Sequence, residues 1–160
     1  MTAQHPREQV QTHEPESAAR GRIKHALEHL TLKVQVEVPV ILGREHVATG
    51  KTMEVRSPHN HTRLLGVVHE ADVTLMRRAV DVAAKAQTAW SAVPLEGRIG
   101  VLLRAAHLAR DSWRATLHAA CMVGLGKTVR EAELDAAAGL VDGLHVMAEE
   151  ARTVAAGTQV

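Results

Sequence analysis

The chain has 160 residues, with 19 Lys plus Arg against 18 Asp plus Glu and a formal charge of +1. That length allows one domain with a real core, and the balanced charge excludes the basic excess of a general nucleic-acid or anionic-membrane binder. One cysteine, Cys121, excludes an intrachain disulfide and a multi-cysteine zinc site, and suits a reducing compartment.

Met1 to about Arg22 is polar and lacks sustained periodicity. It reads as a disordered arm, because it has too little apolar surface to offset its ordering entropy. Ile23, Ala26, Leu27 and Leu30 then fall at helical spacing and predict a short amphipathic helix over 23–32. The period changes at Val34, Val36, Val38 and Val40, which alternate with polar residues as in a half-buried strand. Pro39 places that strand at an edge or splits it. Gly43-Arg44-Glu45-His46 predicts a turn into a second short strand, and Gly50-Lys51 turns the chain into a third over 52–56. Ser57-Pro58-His59-Asn60-His61 stops it, and a strand over about 63–69 completes a small antiparallel hairpin system.

Beyond Glu70 the pattern is helical. Asp72 is the expected N-cap of a helix with Val73, Met76, Val80 and Ala83 on one stripe, running to Trp90. Pro94 restarts the chain as a second helix with Ile99, Leu102, Leu103 and Ala106 on its stripe. A third, from about Trp113 to Met122, runs into a glycine-rich bend. The longest periodic segment follows, from Val129 to Val154, with Ala137, Leu140, Val141, Leu144, Met147, Ala148 and Ala151 on one face. Gly139 and Gly143 interrupt it at roughly 1 kcal/mol each relative to Ala, and predict close approach of another segment.

The core must be built without large rings. Two Trp, no Phe and no Tyr leave Ala, Leu and Val to fill it, so a modest core of small residues is expected. No apolar run approaches the roughly 20 residues needed to cross a bilayer. The N-terminus has no apolar signal segment, and Glu8, Glu14 and Glu16 depart from an acid-poor transit peptide. A cytoplasmic location is the expectation.

Candidate chemistry is sparse. Gly126-Lys127-Thr128 has the ending of a Walker loop, but the glycine required five residues before Gly126 is replaced by Cys121, and the preceding segment reads as helix rather than strand. The bend is therefore read as a C-cap at Gly124 or Gly126 followed by an N-cap at Thr128. His59 and His61 would both face a metal if extended, yet zinc needs three or four ligands and none lies at suitable spacing, so a polar turn is favoured. His25 and His29 read as a solvated helix face. Cys121 is read as a buried filler rather than a nucleophile, because nothing nearby is an obvious base; His118 sits one turn back, and the sequence does not show which way it points. Glu131, Glu133 and Asp135 sit at a helix start, where acids complement the dipole. No catalytic, cofactor-binding or metal-ligating residue is assigned.

Val38-Pro39-Val40-Ile41-Leu42-Gly43 and Val55-Arg56-Ser57-Pro58-His59-Asn60-His61 resemble the N-terminal hairpins of the aldehyde dehydrogenase superfamily. Gly126-Lys127-Thr128, followed by Ala132-Glu133-Leu134-Asp135-Ala136-Ala137-Ala138, resembles its Δ1-pyrroline-5-carboxylate dehydrogenase branch. That branch oxidises L-glutamate γ-semialdehyde to glutamate with NAD in proline catabolism. The resemblance runs from about Arg20 to the C-terminus and implies an α/β fold. Here that fold is its N-terminal part, mostly helical with four to five helices and a small antiparallel hairpin system. Residues 1–22 would be the arm and 23–160 a partial nucleotide-binding domain, ending near the start of the family's oligomerisation flap.

The family's catalytic Cys and Glu lie further along than this chain reaches, and Cys121 does not match the catalytic Cys. The family's helix continues after Ala138 with an acid and then aromatics, where this chain has Gly139, Gly143, Leu144 and Val146. The resemblance thus implies a fragment inactive alone, with NAD a cofactor of the full-length family and not bound tightly by this chain. Its expected partners are the remainder of the dehydrogenase or a second copy through exposed helix faces, without nucleic acid or membrane. The alternative is a non-catalytic helical interaction module.

Overall fold

The computed structural model describes residues 7–32 and 36–157. Met1–Pro6 of the expected arm, Val34 of the expected first strand and Thr158–Val160 lie outside the described residues. The first helix, α1 (Ala18–Leu32), starts five residues before the apolar spacing begins. Ser17 explains the early start, because its Oγ accepts the Arg20 N–H at 3.2 Å and supplies an orphan backbone donor with a partner. Ile23 is the buried residue by which α1 packs against α4 (Arg114–Leu125).

Pro39 splits the expected strand into β1 (Val36–Val38) and β2 (Val40–Leu42). Beyond it, β2 pairs antiparallel with β3 (Glu45–Val47) as a separate hairpin. The larger sheet has the order β1-β5-β4, with β4 (Thr52–Ser57) antiparallel to β5 (Asn60–His69). β1 departs from the all-antiparallel expectation and lies parallel to β5, with Val36 opposite Gly66 and Val38 opposite Val68. A parallel pair needs a long crossover, and the β2–β3 hairpin together with β4 provides it. His69, buried at the end of β5, helps bind the pieces together. Its Nδ1 accepts from the N–H groups of Thr49 at 3.0 Å and Gly50 at 3.3 Å, so its Nε2 carries the proton donated to Glu37 on β1 at 2.7 Å.

Asp72 caps α2 (Val73–Ser91) as its position predicts, accepting the Leu75 N–H at 2.7 Å. The stripe on α2, however, is not covered. Val73, Met76 and Val80 are each more than 60 % exposed, and no residue of α2 is buried. Pro94 starts α3 (Leu95–Arg110), which packs on α6 (Leu140–Ala155). Ala106 and Ala109 of α3 with Val141 of α6 form the core cluster, flanked by Leu117 and Leu144, and Ile99 and Ala148 are buried on the same two helices. Small side chains let the two helices approach closely, as the lack of Phe and Tyr requires. Arg152 of α6 closes the far end with a two-pronged hydrogen bond to Glu96 at 2.8 and 3.0 Å.

The long periodic segment is α5 (Val129–Ala132), a π-helical stretch (Glu133–Gly139) and α6 in succession. The π turn explains Gly139. A Cβ there would lie 2.5 Å from the Leu134 carbonyl oxygen of the same rod, so the tolerance is for its own widened turn and not for another segment. Gly143 has nothing within 4 Å of its missing Cβ, so the expected close approach is absent there too. The π turn also shifts the helical phase, leaving Leu140 and Met147 exposed while Val141 and Ala148 are buried. Among the described residues, no helix is long and apolar enough to cross a membrane.

In denaturant unfolding of the isolated chain, Ile99→Ala is expected to cost about 2–5 kcal/mol. Val80→Ala is expected to cost less than about 0.5 kcal/mol; comparable losses would mean that α2 is covered in solution.

Candidate functional site

The glycine-rich bend is built as a cap and not as a phosphate cradle. Gly126 closes α4 with φ 69, a left-handed conformation that suits a residue without Cβ, and its N–H reaches the Met122 carbonyl. Thr128 then opens α5 with a reciprocal capping box: Glu131 Oε2 accepts the Thr128 N–H at 2.8 Å, and the Glu131 N–H donates to Thr128 Oγ1 at 3.3 Å. Lys127 is paired with Asp135. Lys127 and the Gly126, Thr128 and Glu131 N–H groups are therefore engaged, and the Glu131 carboxylate already occupies the first turn of α5. The bend does not fit the pyrophosphate of NAD.

The remaining sequence candidates stay apart. His61 Nε2 faces the Pro58 carbonyl at 3.0 Å, and His59 Nδ1 faces Ser57 Oγ at 3.2 Å, as in a polar turn. His25 and His29 are exposed on α1. Cys121 is half-buried on α4, and neither ring nitrogen of His118 is hydrogen-bonded to it.

What the structure brings together is a buried ionic cluster. The three acids after the bend separate: Glu131 caps, Asp135 pairs outward, and Glu133 turns inward at 1 % exposure. Its role is therefore not only to complement a helix dipole. Arg114, at the start of α4, pairs with Glu133 Oε1 and donates to Glu8 Oε1 at 2.9 Å. The Gln11 N–H donates to Glu133 Oε1 at 2.9 Å, and the His13 ring lies 3.3 Å from Glu133 Oε2. Arg110 completes a second clasp on Glu8 at 2.7 Å. The Glu8 N–H in turn reaches Asp142 Oδ1 at 2.6 Å.

Residues 7–17, expected to be free, are thus docked by charge and backbone hydrogen bonding, which a count of apolar side chains does not register. His118 completes the cluster. Its ring lies edge-on to His13 with centroids 5.0 Å apart, and its Nδ1 is 3.4 Å from Glu133 Oε2 without hydrogen-bond geometry. His13, His118 and Glu133 are the residues here that could hold a metal ion. Sequence reading misses them because His13 and Glu133 are 120 residues apart.

The charges follow from the surroundings. Burial opposes ionisation of Glu133, but the Arg114 hydrogen bond, the Gln11 N–H and the Arg114 charge outweigh it and hold the carboxyl below its ordinary 4.5. Burial likewise works against the Arg114 charge, and Glu133 and Glu8 overcome it. For His118 burial wins: desolvation first, then the nearby His13, lower its pKa below 6.5 against the opposing pull of Glu133 and the Val129 backbone. The cluster holds a carboxylate, a guanidinium and a neutral His118 imidazole.

With that geometry in view, the chain's relatives can be placed. Residues 46–160 match the aldehyde dehydrogenase family, and the chain belongs to it. Within that family its similarity runs to Δ1-pyrroline-5-carboxylate dehydrogenases. It is 35 % identical over 135 residues to the Agaricus bisporus enzyme, covering 84 % of this chain and 25 % of that protein. It is 39 % identical over 127 residues to the mitochondrial enzyme of Mus musculus, covering 79 % and 22 % respectively. The structure superposes on the Mycobacterium tuberculosis enzyme bound with NAD with a TM-score of 0.88 and 34 % identity, over 94 % of this chain and 28 % of that one. The chain spans about a quarter of the length of these relatives.

Arg114→Met removes the guanidinium from the buried Glu133 carboxylate and leaves Glu8 to Arg110 alone, and a loss of about 3–5 kcal/mol is expected in urea unfolding; under about 1 kcal/mol would mean the pair is solvated. The cluster also sets an acid response. Below 6.5 and above its lowered folded pKa, His118 binds more protons unfolded than folded, so stability falls as pH drops through that window. Glu133 adds loss in the same direction, its contribution present above 4.5 and disappearing as pH falls through its lowered folded pKa. The urea midpoint is expected to decline on acidification, and His118→Asn is expected to flatten the part of the decline just below 6.5. An unchanged slope in that variant would assign the decline to other groups.

Proposed function

We propose that this chain is the N-terminal part of an NAD-dependent dehydrogenase that oxidises L-glutamate γ-semialdehyde, formed from pyrroline-5-carboxylate, to glutamate in proline degradation. The observation that carries this reading is the capped bend and the Glu131–Ala138 segment, set in the fold shared with relatives that bear that enzyme name. Residues 23–160 would form part of the nucleotide-binding domain, with the preceding arm docked on it. The chain's own contribution is structural: the Arg114–Glu133 cluster seats the arm, and the bend launches the long helical rod.

Catalysis would need the family's Cys and Glu from the remainder of the dehydrogenase. Among the described residues, Cys121 has no hydrogen-bonded histidine base. Tight NAD binding by this chain alone is not expected, because its bend does not accept a phosphate. The proposed location is the cytoplasm, although the mouse relative is described as mitochondrial; fractionation of the source cells decides between the two.

A chimera joining this chain to the C-terminal three-quarters of the Mycobacterium tuberculosis enzyme is expected to reduce NAD with pyrroline-5-carboxylate, and the chain alone to give no turnover. A folded but inactive chimera would count against the reading, and turnover by the chain alone would overturn its inactivity. The exposed stripe on α2 favours a second reading, a helical module that self-associates or binds a partner. Size-exclusion chromatography is then expected to show a species larger than a monomer, and a folded monomer would exclude self-association.

A further inference from the structure

We propose that His13, His118 and Glu133 form a binding site for a divalent transition-metal ion of zinc type, which staples the N-terminal arm to α4 and the helical rod. One ligand atom from each residue lies within 4.8 Å of the other two. Two of the three edges are already those of a tetrahedral site. Zinc bonds of about 2.0–2.1 Å at tetrahedral angles place neighbouring ligand atoms about 3.3 Å apart. Glu133 Oε2 lies 3.3 Å from His13 Nε2 and 3.4 Å from His118 Nδ1.

The His13 edge also meets hydrogen-bond distance, whereas the His118 edge lacks hydrogen-bond geometry. His118 is fully buried, and its Nδ1, the atom that faces Glu133 Oε2, has no hydrogen-bond partner. A buried polar atom left unpaired is destabilising, and a metal ion on the Nδ1 lone pair would give it a partner. The donor set suits the ion, since imidazole with carboxylate is a zinc combination. Glu133 is oriented as a ligand should be: Arg114 and the Gln11 N–H occupy Oε1, leaving Oε2 to face the two rings. Glu8 and Glu133 together balance Arg110 and Arg114, so the surroundings of the ion are not cationic overall. A cavity of about 330 Å³, lined by all three residues, gives entry and room for a fourth ligand. This inference stands independently of the dehydrogenase reading.

The test is a titration of the purified 160-residue chain with Co(II) and with Zn(II), at pH 7.5. Visible d–d absorption reports Co(II) geometry, and melting followed by circular dichroism reports stabilisation. Expected are one equivalent bound, the intense absorption of four-coordinate Co(II), and a melting point raised by Zn(II). His13→Gln, a change on the arm that leaves the α3–α6 core untouched, is expected to weaken binding by at least about 100-fold, beyond the range carried by outer-sphere partners. His46→Gln, on an exposed strand outside the cluster, should change nothing.

No stoichiometric binding overturns the proposal. So does equal weakening by His13→Gln and His46→Gln, which would reveal surface imidazoles only. A melting point that responds to pH and not to Zn(II) would also overturn it, showing that a protonated imidazole fills the gap beside Glu133. A chain unfolded without metal that folds on adding one equivalent supports the site, and one that stays unfolded with metal overturns it.

Discussion

The Glu133 carboxylate, drawn out of water and shared between Arg114 and two imidazoles, constrains this structure more than any other group. Burying an unpaired carboxylate costs several kcal/mol, so Glu133 can point inward only if Arg114 meets it. Arg114 in turn gives Nη1 to Glu8 and shares Nη2 with the Gln9 carbonyl, while its Nε has no partner. This chain of requirements draws residues 7–17 onto α3, α4, the π-helical stretch and α6. It also fixes the start of α1, whose Arg20 reaches back to the His13 carbonyl at 3.2 Å. A well-packed apolar substitute for such a pair is often no less stable, so its effect here is specificity: the arm has one seat and one register.

The second constraint is core size. With Ala at so many core positions, α3 and α6 gain contact by approaching closely rather than by interdigitating large rings. The resulting core is narrow, and it leaves α2 outside. Val73, Met76 and Val80 are patterned for burial and yet face solvent, which is the kind of surface that marks contact with another protein segment.

Where sequence reading succeeded, the physics was local. Asp72 and Thr128 accept from donors three residues away, Pro39 cannot donate to a ladder, and Gly126 alone at its bend tolerates a positive φ. Each outcome depends on a handful of neighbours, so each was legible. The rejection of a phosphate loop belongs here as well, because the wrong residue at Cys121 and the helical pattern before it are visible in one dimension. The periodic segment beyond Ala132 was legible as a helix, but its π turn was not. A one-residue change in phase leaves no mark in the apolar pattern, and with it Leu140 and Met147 of the expected face are exposed.

The sequence by itself determined the order of the elements, their caps and breaks, the small-residue character of the core and, through the bend and the run after it, the family. Tertiary structure alone decided three things: that the arm is docked, that β1 joins β5 in parallel, and that His13, His118 and Glu133 meet. The reason is the same in each case. Those outcomes rest on pairings across long stretches of chain, between charged or backbone groups whose burial is set by where the helices come to lie. Hydrophobic periodicity carries no record of them.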